Sequence, residues 1–401
     1  MSDIEIRTLA DTEWRASLGL FRAALHAVPP TDEQWAVGSR SYEPGRTLGA
    51  FCGDTLAGTA FAWSSDLLVP GGAVVPMAAV TRVGVRSDFR RRGVLSELMR
   101  RQLADIADRG EVLAALRPTE PLIYGRFGYG QATRGAKTVA VPGNALLRPE
   151  VPSGGRVRLV TPAEALAVMP GIYERVGRSR PGTMARPSYW WTVAYERAFA
   201  ADEHIIIAVH SGPDGDDGYL MYRPTPGALP GTNATLAVDD FVAATPDAVY
   251  GLWRFLLSVD LVDEVTVWTR PTDEPIAEAL TDPRAITSAE HRSDLWLRLV
   301  DVPKALAARE YGPATVVLEV EDSLLPGNSG AYRLTPDGVT RTTATPDLSL
   351  SVDVLAMLYL GTWRASALTA IGRIQELTPG ATTKADALFA VPEASWCGTF
   401  F

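Results

Sequence analysis

The chain is short of the residues that most often carry metal, redox or imidazole chemistry. Its 401 residues hold two cysteines, Cys52 and Cys397, and four histidines, His26, His204, His210 and His291. Cysteines so far apart read as reduced thiols rather than a disulfide framework, and no Cys/His spacing matches a zinc site. With so few imidazoles, acid–base chemistry has to use other groups. No apolar run approaches the roughly 20 residues of a membrane span. The start, Met-Ser-Asp-Ile-Glu-Ile, is acidic, so no secretory signal is read there and a cytoplasmic protein is expected. Asn233-Ala-Thr235 therefore reads as a chance sequon. An excess of positive charge is missing too. The formal net charge is −9, which argues against nucleic acid and anionic membrane as partners and favours cationic substrates.

What is present is an ordinary globular composition, 46% hydrophobic and 21% charged, in a chain long enough for two or three domains. The most informative stretch is 80–101. A β-branched run (Val80, Val83, Val85) meets an Arg/Gly turn, Arg90 to Gly93, that opens directly into an amphipathic helix. Leu95, Leu98, Met99, Leu103 and Ile106 form its apolar stripe, and Gly110 ends it. Amides at a helix start have no intrahelical partner and lie at the positive end of the macrodipole, so this order builds an anion cradle. Gly93 lets backbone come close to a ligand, and Arg90 to Arg92 add charge-assisted donors. The bland alternative is a basic surface turn capping an ordinary helix. The pattern Arg-x-x-Gly-x-x after a strand resembles the acyl-coenzyme A pyrophosphate loop of the GNAT superfamily of N-acetyltransferases. It departs from that pattern at Leu95, where the superfamily usually has Gly or Ala.

Three blocks follow along the chain: 1–148, 149–300 and 301–401. In the first, Ile4–Leu9 alternates like a strand and Asp11–Trp14 starts a helix. Thr47–Phe51 and Leu56–Trp63 flank a hairpin turn at Gly53-Asp54, and Val74–Met77 and Val80–Val85 read as a strand pair. The motif helix and a strand at Val112–Leu116 complete a right-handed strand–helix–strand unit whose splayed parallel ends can receive a ligand. A Pro/Gly-rich connection, Pro149 to Gly155, marks the first boundary. The second block has strands at Val157–Val160, Ile205–Val209, Gly218–Arg223, Leu236–Phe241 and Val265–Trp268, with a helix at Asp247–Leu257. It echoes the first block without an Arg-x-x-Gly turn and reads as a degenerate copy lacking the coenzyme motif, or else as unrelated α/β packing. The third begins near Val302, with strands at Thr315–Glu319 and Gly330–Leu334 and helices at Ser351–Leu358 and Ala365–Ile371.

A second motif, Pro121-Leu-Ile-Tyr-Gly-Arg-Phe-Gly-Tyr-Gly130, has too many glycines for a simple helix or strand. It lies just past Val112–Leu116, where a bound thioester sits if the turn holds the phosphates. A phenol can protonate or hydrogen-bond the departing thiolate, which gives Tyr124 a task; Tyr129 reads as packing. At this point the chain is identified as similar to the enhanced intracellular survival (Eis) acetyltransferases. The matching pieces are Arg90-Arg-Arg-Gly-Val-Leu95, Ile123-Tyr-Gly-Arg-Phe-Gly-Tyr-Gly130, Asp294-Leu-Trp-Leu-Arg-Leu-Val-Asp-Val-Pro-Lys-Ala-Leu306 and Leu358-Tyr-Leu-Gly361. They spread across all three blocks.

The resemblance implies an α/β (α+β) architecture: an N-terminal GNAT domain, a central GNAT-like domain without coenzyme, and a sterol-carrier-like C-terminal domain. It also implies a homohexamer and acetyl-CoA as co-substrate, with no metal. By position, coenzyme runs along Val83, Gly84 and Val85, and its pyrophosphate meets Arg91, Arg92, Gly93, Val94, Leu95 and Ser96. Thr119 and Glu120 fall at a further coenzyme contact, Tyr124 is the implied general acid, and the main-chain carboxylate of Phe401 is the implied base. A terminal carboxylate has a pKa of roughly 3.5 in water, so it needs burial to become basic enough. The alternative is a frayed tail, against which the apolar run Trp396-Cys-Gly-Thr-Phe-Phe401 speaks. Family members often place an acidic residue just before the last Phe; this chain has Phe400.

The reading that results is N-acetylation of amine-rich small molecules, aminoglycoside-like or polyamine, and of lysines, by direct attack of the amine on the thioester. A backbone amide near Val85 is the expected oxyanion donor. Asp239, Asp240 and Glu33 are candidate collectors of cations, each also readable as a solvated surface charge. Trp14, Trp35, Trp63, Tyr189, Trp190 and Trp191 are candidate pocket walls, each also readable as core. The opposing class is a non-catalytic acyl-coenzyme A sensor or lipid carrier.

Overall fold

A computed structural model describes residues 4–200, 204–227, 233–243 and 245–401; Met1–Asp3, part of the acidic start read above, lie outside them. In chain order the first strands are β1 (Ile4–Thr8), β2 (Thr47–Cys52), β3 (Thr55–Leu68), β4 (Val74–Val85), β5 (Leu113–Leu116) and β6 (Gly130–Gln131). Helices α1 (Trp14–Ala24), α2 (Asp32–Gly38), α3 (Val94–Asp108) and the single turn α4 (Pro121–Tyr124) lie between them. The expected pair at Val74–Met77 and Val80–Val85 is one continuous strand. Ala78 and Ala79 carry no turn-forming chemistry, so the backbone runs straight through them.

Next come β7 (Arg134–Ala140), β8 (Arg156–Val160), β9 (Ile206–Gly212), β10 (Gly215–Thr225), β11 (Ala234–Ala243), β12 (Val262–Arg270), β13 (Ile286–Ser293) and β14 (Trp296–Leu299). The first sheet has the order β1-β2-β3-β4-β5-β14-β6 and the second β13-β7-β12-β11-β10-β9-β8. The sheets therefore cross the sequence blocks. β7 leaves the first block to join the second sheet, and β14 returns from the second block to sit between β5 and β6. Each exchanged strand satisfies a backbone edge left open by the other half of the chain, information that periodicity within one strand does not carry. The second sheet echoes the first: β11 and β12 are parallel, as are β4 and β5.

The third unit is a five-stranded sheet, β15 (Val316–Glu321), β16 (Gly330–Thr335), β17 (Gly338–Thr342), β18 (Leu348–Ser351) and β19 (Ile374–Glu376), in the order β17-β16-β15-β18-β19. It docks on the first sheet closely enough to explain Gly128 and Gly130. A Cβ on Gly130 would lie 2.0 Å from the carbonyl oxygen of Asp353 in the helix Val352–Tyr359, so any larger residue drives the units apart. Beside it, Arg298 of β14 forms a fully buried ion pair with Asp322, 2.7 Å. Arg309 is buried with main-chain oxygens as partners, donating to Tyr359 (2.5 Å), Leu358 (3.2 Å) and Phe389 (2.7 Å). These are the last carbonyls of the helices Val352–Tyr359 and Ala381–Phe389. Helix C-termini are the negative ends, so one guanidinium holds two of them together. Among the described residues no helix is long and apolar enough to cross a membrane.

Candidate active site

The phosphate cradle expected from the sequence has the required backbone. Gly93 is the residue that caps α3, at φ +89, and Arg91 is also left-handed at φ +61. Gly93 supplies no side chain to cap the helix, so the first-turn amides of α3 have no side-chain partner there. Leu98, Met99, Leu103 and Ile106 are buried as the stripe requires, and Leu95 is half-buried on the same face. The equivalent helix of the second unit, Pro246–Leu257, is closed by its own chain. Thr245 Oγ1 accepts from the Ala248 amide (3.1 Å), and the Asp247 carboxylate takes the Gly154 amide (2.6 Å). The first helix start lacks a side-chain cap, whereas the second has one.

Between β4 and β5 the sheet splits. The two strands pair only from Met77↔Leu113 to Ala79↔Ala115, and β4 then runs on to Val85 without β5. Its register against β3 slips between Thr59 and Phe61, with Arg82 at φ +53, so the strand carries a bulge at the split. Bulges re-aim the backbone beside active sites. The opening leads into a cavity of about 1100 Å³ that reaches the second sheet and the C-terminal tail.

Of the residues expected in the site, Val83, Thr119, Tyr124 and Phe401 line this cavity, together with Phe400. Gly84, Val85, Arg91, Arg92, Gly93, Val94, Leu95, Ser96 and Glu120 do not. Gly84 instead lets α1 pack tightly on β4, since a Cβ there would come within 3.1 Å of the Phe21 Cα, and Val94 is turned inward against the sheet. Arg91, Arg92 and Gly93 are exposed on the loop between β4 and α3. Tyr124 meets Tyr129 edge-on, with ring centroids 6.1 Å apart, and burial pushes its phenol up to about 12. Tyr129 is fully buried, as a packing residue should be.

The tail is not frayed. Trp190 Nε1 donates to the Phe400 carbonyl (2.8 Å), and Arg117 Nη1 to the Thr399 carbonyl (2.7 Å). Arg186 Nε donates to Thr399 Oγ1 (3.0 Å), and Trp396 Nε1 to the Thr269 carbonyl (2.6 Å). Phe400 itself is 76% exposed into the open site, so its apolar ring faces the cavity rather than a core.

The proposed cation collectors divide. Asp240 is not a surface charge: it is buried, pairs with Arg186 at 2.6 Å and accepts from the Tyr219 hydroxyl at 3.1 Å and from that of Tyr195. Asp239 lines the cavity and is ion-paired with Arg223, whereas exposed Glu33 sits in the first turn of α2, away from the lining. Of the six aromatic candidates, Trp63 and Trp190 line the cavity; Trp14 and Trp191 belong to the core, and Trp35 and Tyr189 pack on its edge. Sequence reasoning missed Arg117, Arg186, Trp268 and Asp294, all of which line the cavity. Arg117 had a signal, because it directly follows β5 at the carboxyl end of a parallel pair, where α/β sheets receive ligands. Arg186 lies between regular elements and gave none, and Asp294 opened a family-matching string that assigned it no role.

Comparison with known proteins matches this architecture. Two models described as an acetyltransferase (GNAT) domain match residues 5–132 and 182–299, and a sterol carrier protein domain matches 302–398. An uncharacterized N-acetyltransferase of Streptomyces avermitilis is 38% identical over 98% of both chains. The N-acetyltransferase Eis of Mycobacterium tuberculosis is 36% identical over 85% of both. Among solved structures, Eis1 from Mycobacterium abscessus superposes with a TM-score of 0.89 at 40% identity, covering each chain completely.

Proposed function

The chain belongs to the Eis family of GNAT N-acetyltransferases, and on that footing we propose that it moves the acetyl group of acetyl-CoA directly to the amine of a small molecule. The observation that carries this reading is a single cavity, entered at the β4–β5 split, which has Val83, Tyr124 and Phe401 in its lining. In the proposed pose, backbone groups of Val83, Gly84 and Val85 hold the pantetheine arm. Arg91 to Ser96 hold the pyrophosphate on the open start of α3, and Thr119 and Glu120 add a contact at the rim. The carboxylate of Phe401 takes the amine proton as nitrogen bonds to the thioester carbon. As the carbon–sulfur bond breaks, Tyr124 donates to the departing sulfur. A phenol pushed up to about 12 keeps its proton throughout the neutral range. It is a weaker acid than a thiol, whose ordinary pKa is about 8.5, so its task is a hydrogen bond to developing charge more than complete proton transfer.

Acceptors in this reading are amine-rich small molecules, polyamine or aminoglycoside-like, and lysine side chains; the enzyme works in the cytoplasm as a homohexamer. Incubating the purified protein with acetyl-CoA and an amine panel, with thiol release and product masses recorded, tests the chemistry. Mass gains of one acetyl group on amines support it. Coenzyme binding with no acetylated amine would leave an acyl-coenzyme A sensor or lipid carrier.

Two variants test the roles. Arg91→Ala is expected to raise the KM for acetyl-CoA about tenfold, the worth of one charge-assisted phosphate contact, and to leave kcat within about twofold. A fall in kcat alone would remove Arg91 from the phosphate site. Appending residues after Phe401 displaces the carboxylate, so kcat is expected to fall at least about 100-fold, the contribution of one positioned base, while acetyl-CoA still binds. Full turnover in the extended protein would remove Phe401 as base.

A further inference from the structure

The chain crosses between the first two sheets twice, and the two crossing points touch. Thr133 lies in the gap between β6 of the first sheet and β7 of the second. Asp294 lies in the gap between β13 of the second sheet and β14 of the first. Thr133 Oγ1 donates to Asp294 Oδ2 (2.9 Å) and accepts from the Leu295 amide (2.9 Å), while the Asp294 amide donates to the Thr133 carbonyl (3.3 Å). The double crossover is thus tied at a buried carboxylate: Asp294 is 1% exposed.

The same carboxylate receives the C-terminal tail. Asp294 Oδ2 accepts from the Cys397 amide (2.8 Å) and the Gly398 amide (3.3 Å), and Asp294 Oδ1 is ion-paired with Arg117. Arg117 then reaches past it to the Thr399 carbonyl at 2.7 Å and lies 5.4 Å from the Phe400 ring centroid. Four donors thus converge on one buried carboxylate, and two of them belong to the last five residues of the sequence. Charge-assisted bonds are about twice as strong as neutral ones, so this carboxylate is a strong anchor of the tail beside Arg117 and Arg186, which both donate to Thr399.

We propose that Asp294 is a positioning residue: it docks the tail of the third unit at the crossover of the first two and thereby sets where the Phe401 carboxylate stands relative to Tyr124. This inference rests on the proposed role of Phe401. It also accounts for a carboxylate that lines the cavity yet has its oxygens committed to tail amides, Thr133 and Arg117, so that it serves the tail and not the amine.

The test uses a thiol already in place. Cys397 is buried and its amide is held by Asp294, whereas Cys52, at the end of β2, is part-exposed. In a Cys52→Ser background, labelling of Cys397 by a thiol reagent reports the tail directly. Asp294→Ala is expected to raise that labelling rate at least tenfold and to lower kcat at least tenfold, with the KM for acetyl-CoA unchanged. Asp294→Asn, which keeps a carbonyl oxygen for the two tail amides, is expected to recover much of both losses. If Asp294→Ala misfolds, Asp294→Asn alone decides: its Cys397 labelling and kcat must move together. Loss of kcat with Cys397 still protected, or rapid labelling with kcat intact, overturns the proposal. Failure of the Phe401 role would look different, as undiminished turnover in the protein extended beyond Phe401.

Discussion

Tyr124→Phe is expected to lower kcat by about 10²–10³-fold while acetyl-CoA affinity stays within about twofold of wild type. The two side chains differ by one hydroxyl, and the tyrosine packs edge-on against Tyr129 whether or not that hydroxyl is present. Folding and the cavity wall should therefore survive the change. What disappears is the donor that meets charge on the departing sulfur in the transition state, an interaction absent from the ground state, so the loss falls on kcat and kcat/KM alike. Steady-state thiol release, alongside calorimetric binding of acetyl-CoA, checks the split. Equal rates in the two proteins would show that the sulfur departs without help from Tyr124. The pH profile adds a second reading. Burial pushes this phenol up to about 12, so turnover should not fall through its ionisation near pH 10, where an exposed tyrosine would lose its proton.

Asp322→Ala is expected to cost about 3–5 kcal/mol of folding stability, a large part of the roughly 5–15 kcal/mol typical of a folded domain. Arg298 is fully buried, and Asp322 takes its Nη2 with both oxygens at 2.7 Å. Alanine leaves the guanidinium charged, dry and bonded at Nη1 to the Leu299 carbonyl. It also removes the acceptor for the Leu324 and Leu325 amides and for Asn328 Nδ2. Equilibrium denaturation measures the loss, and a change below about 1 kcal/mol would contradict it. Replacing both partners with apolar residues, Arg298→Met with Asp322→Leu, should recover only part of the difference, because no lone charge remains buried while the Leu324 and Leu325 amides and Asn328 Nδ2 still lack their acceptor.

Much of the fold was legible because it is written locally. The 3.6-residue stripe from Leu98 to Ile106, the turn at Gly93 and the alternation in the strands each repeat over a few neighbouring positions. Long-range pairing is not written that way. Nothing in Trp296–Leu299 announces that its partners are Leu113–Leu116 and Gly130–Gln131 rather than the strand just before it. The site divides along the same line. Tyr124 and the Arg/Gly turn stood out as dense, unusual strings, whereas Arg186, Asp240 and Asp294 are single residues that gain meaning only when three distant segments meet. Asp240 was the most misleading: in sequence it is half of an acidic pair, yet its neighbour Asp239 pairs with Arg223 near the surface while Asp240 holds a buried arginine and two tyrosines.

The strand exchange has a consequence for how the polypeptide comes off the ribosome. The first sheet keeps a gap between β5 and β6 until β14, near residue 299, has been synthesised. The second sheet takes in β7, made before all of its other members. Neither half can close on its own, so fragments cut near residue 148 should expose open strand edges and aggregate rather than yield a free-standing coenzyme-binding domain. The nascent chain must hold β5 and β6 unjoined from residue 131 until residue 299 has been made, which makes slow maturation the natural cost of this topology.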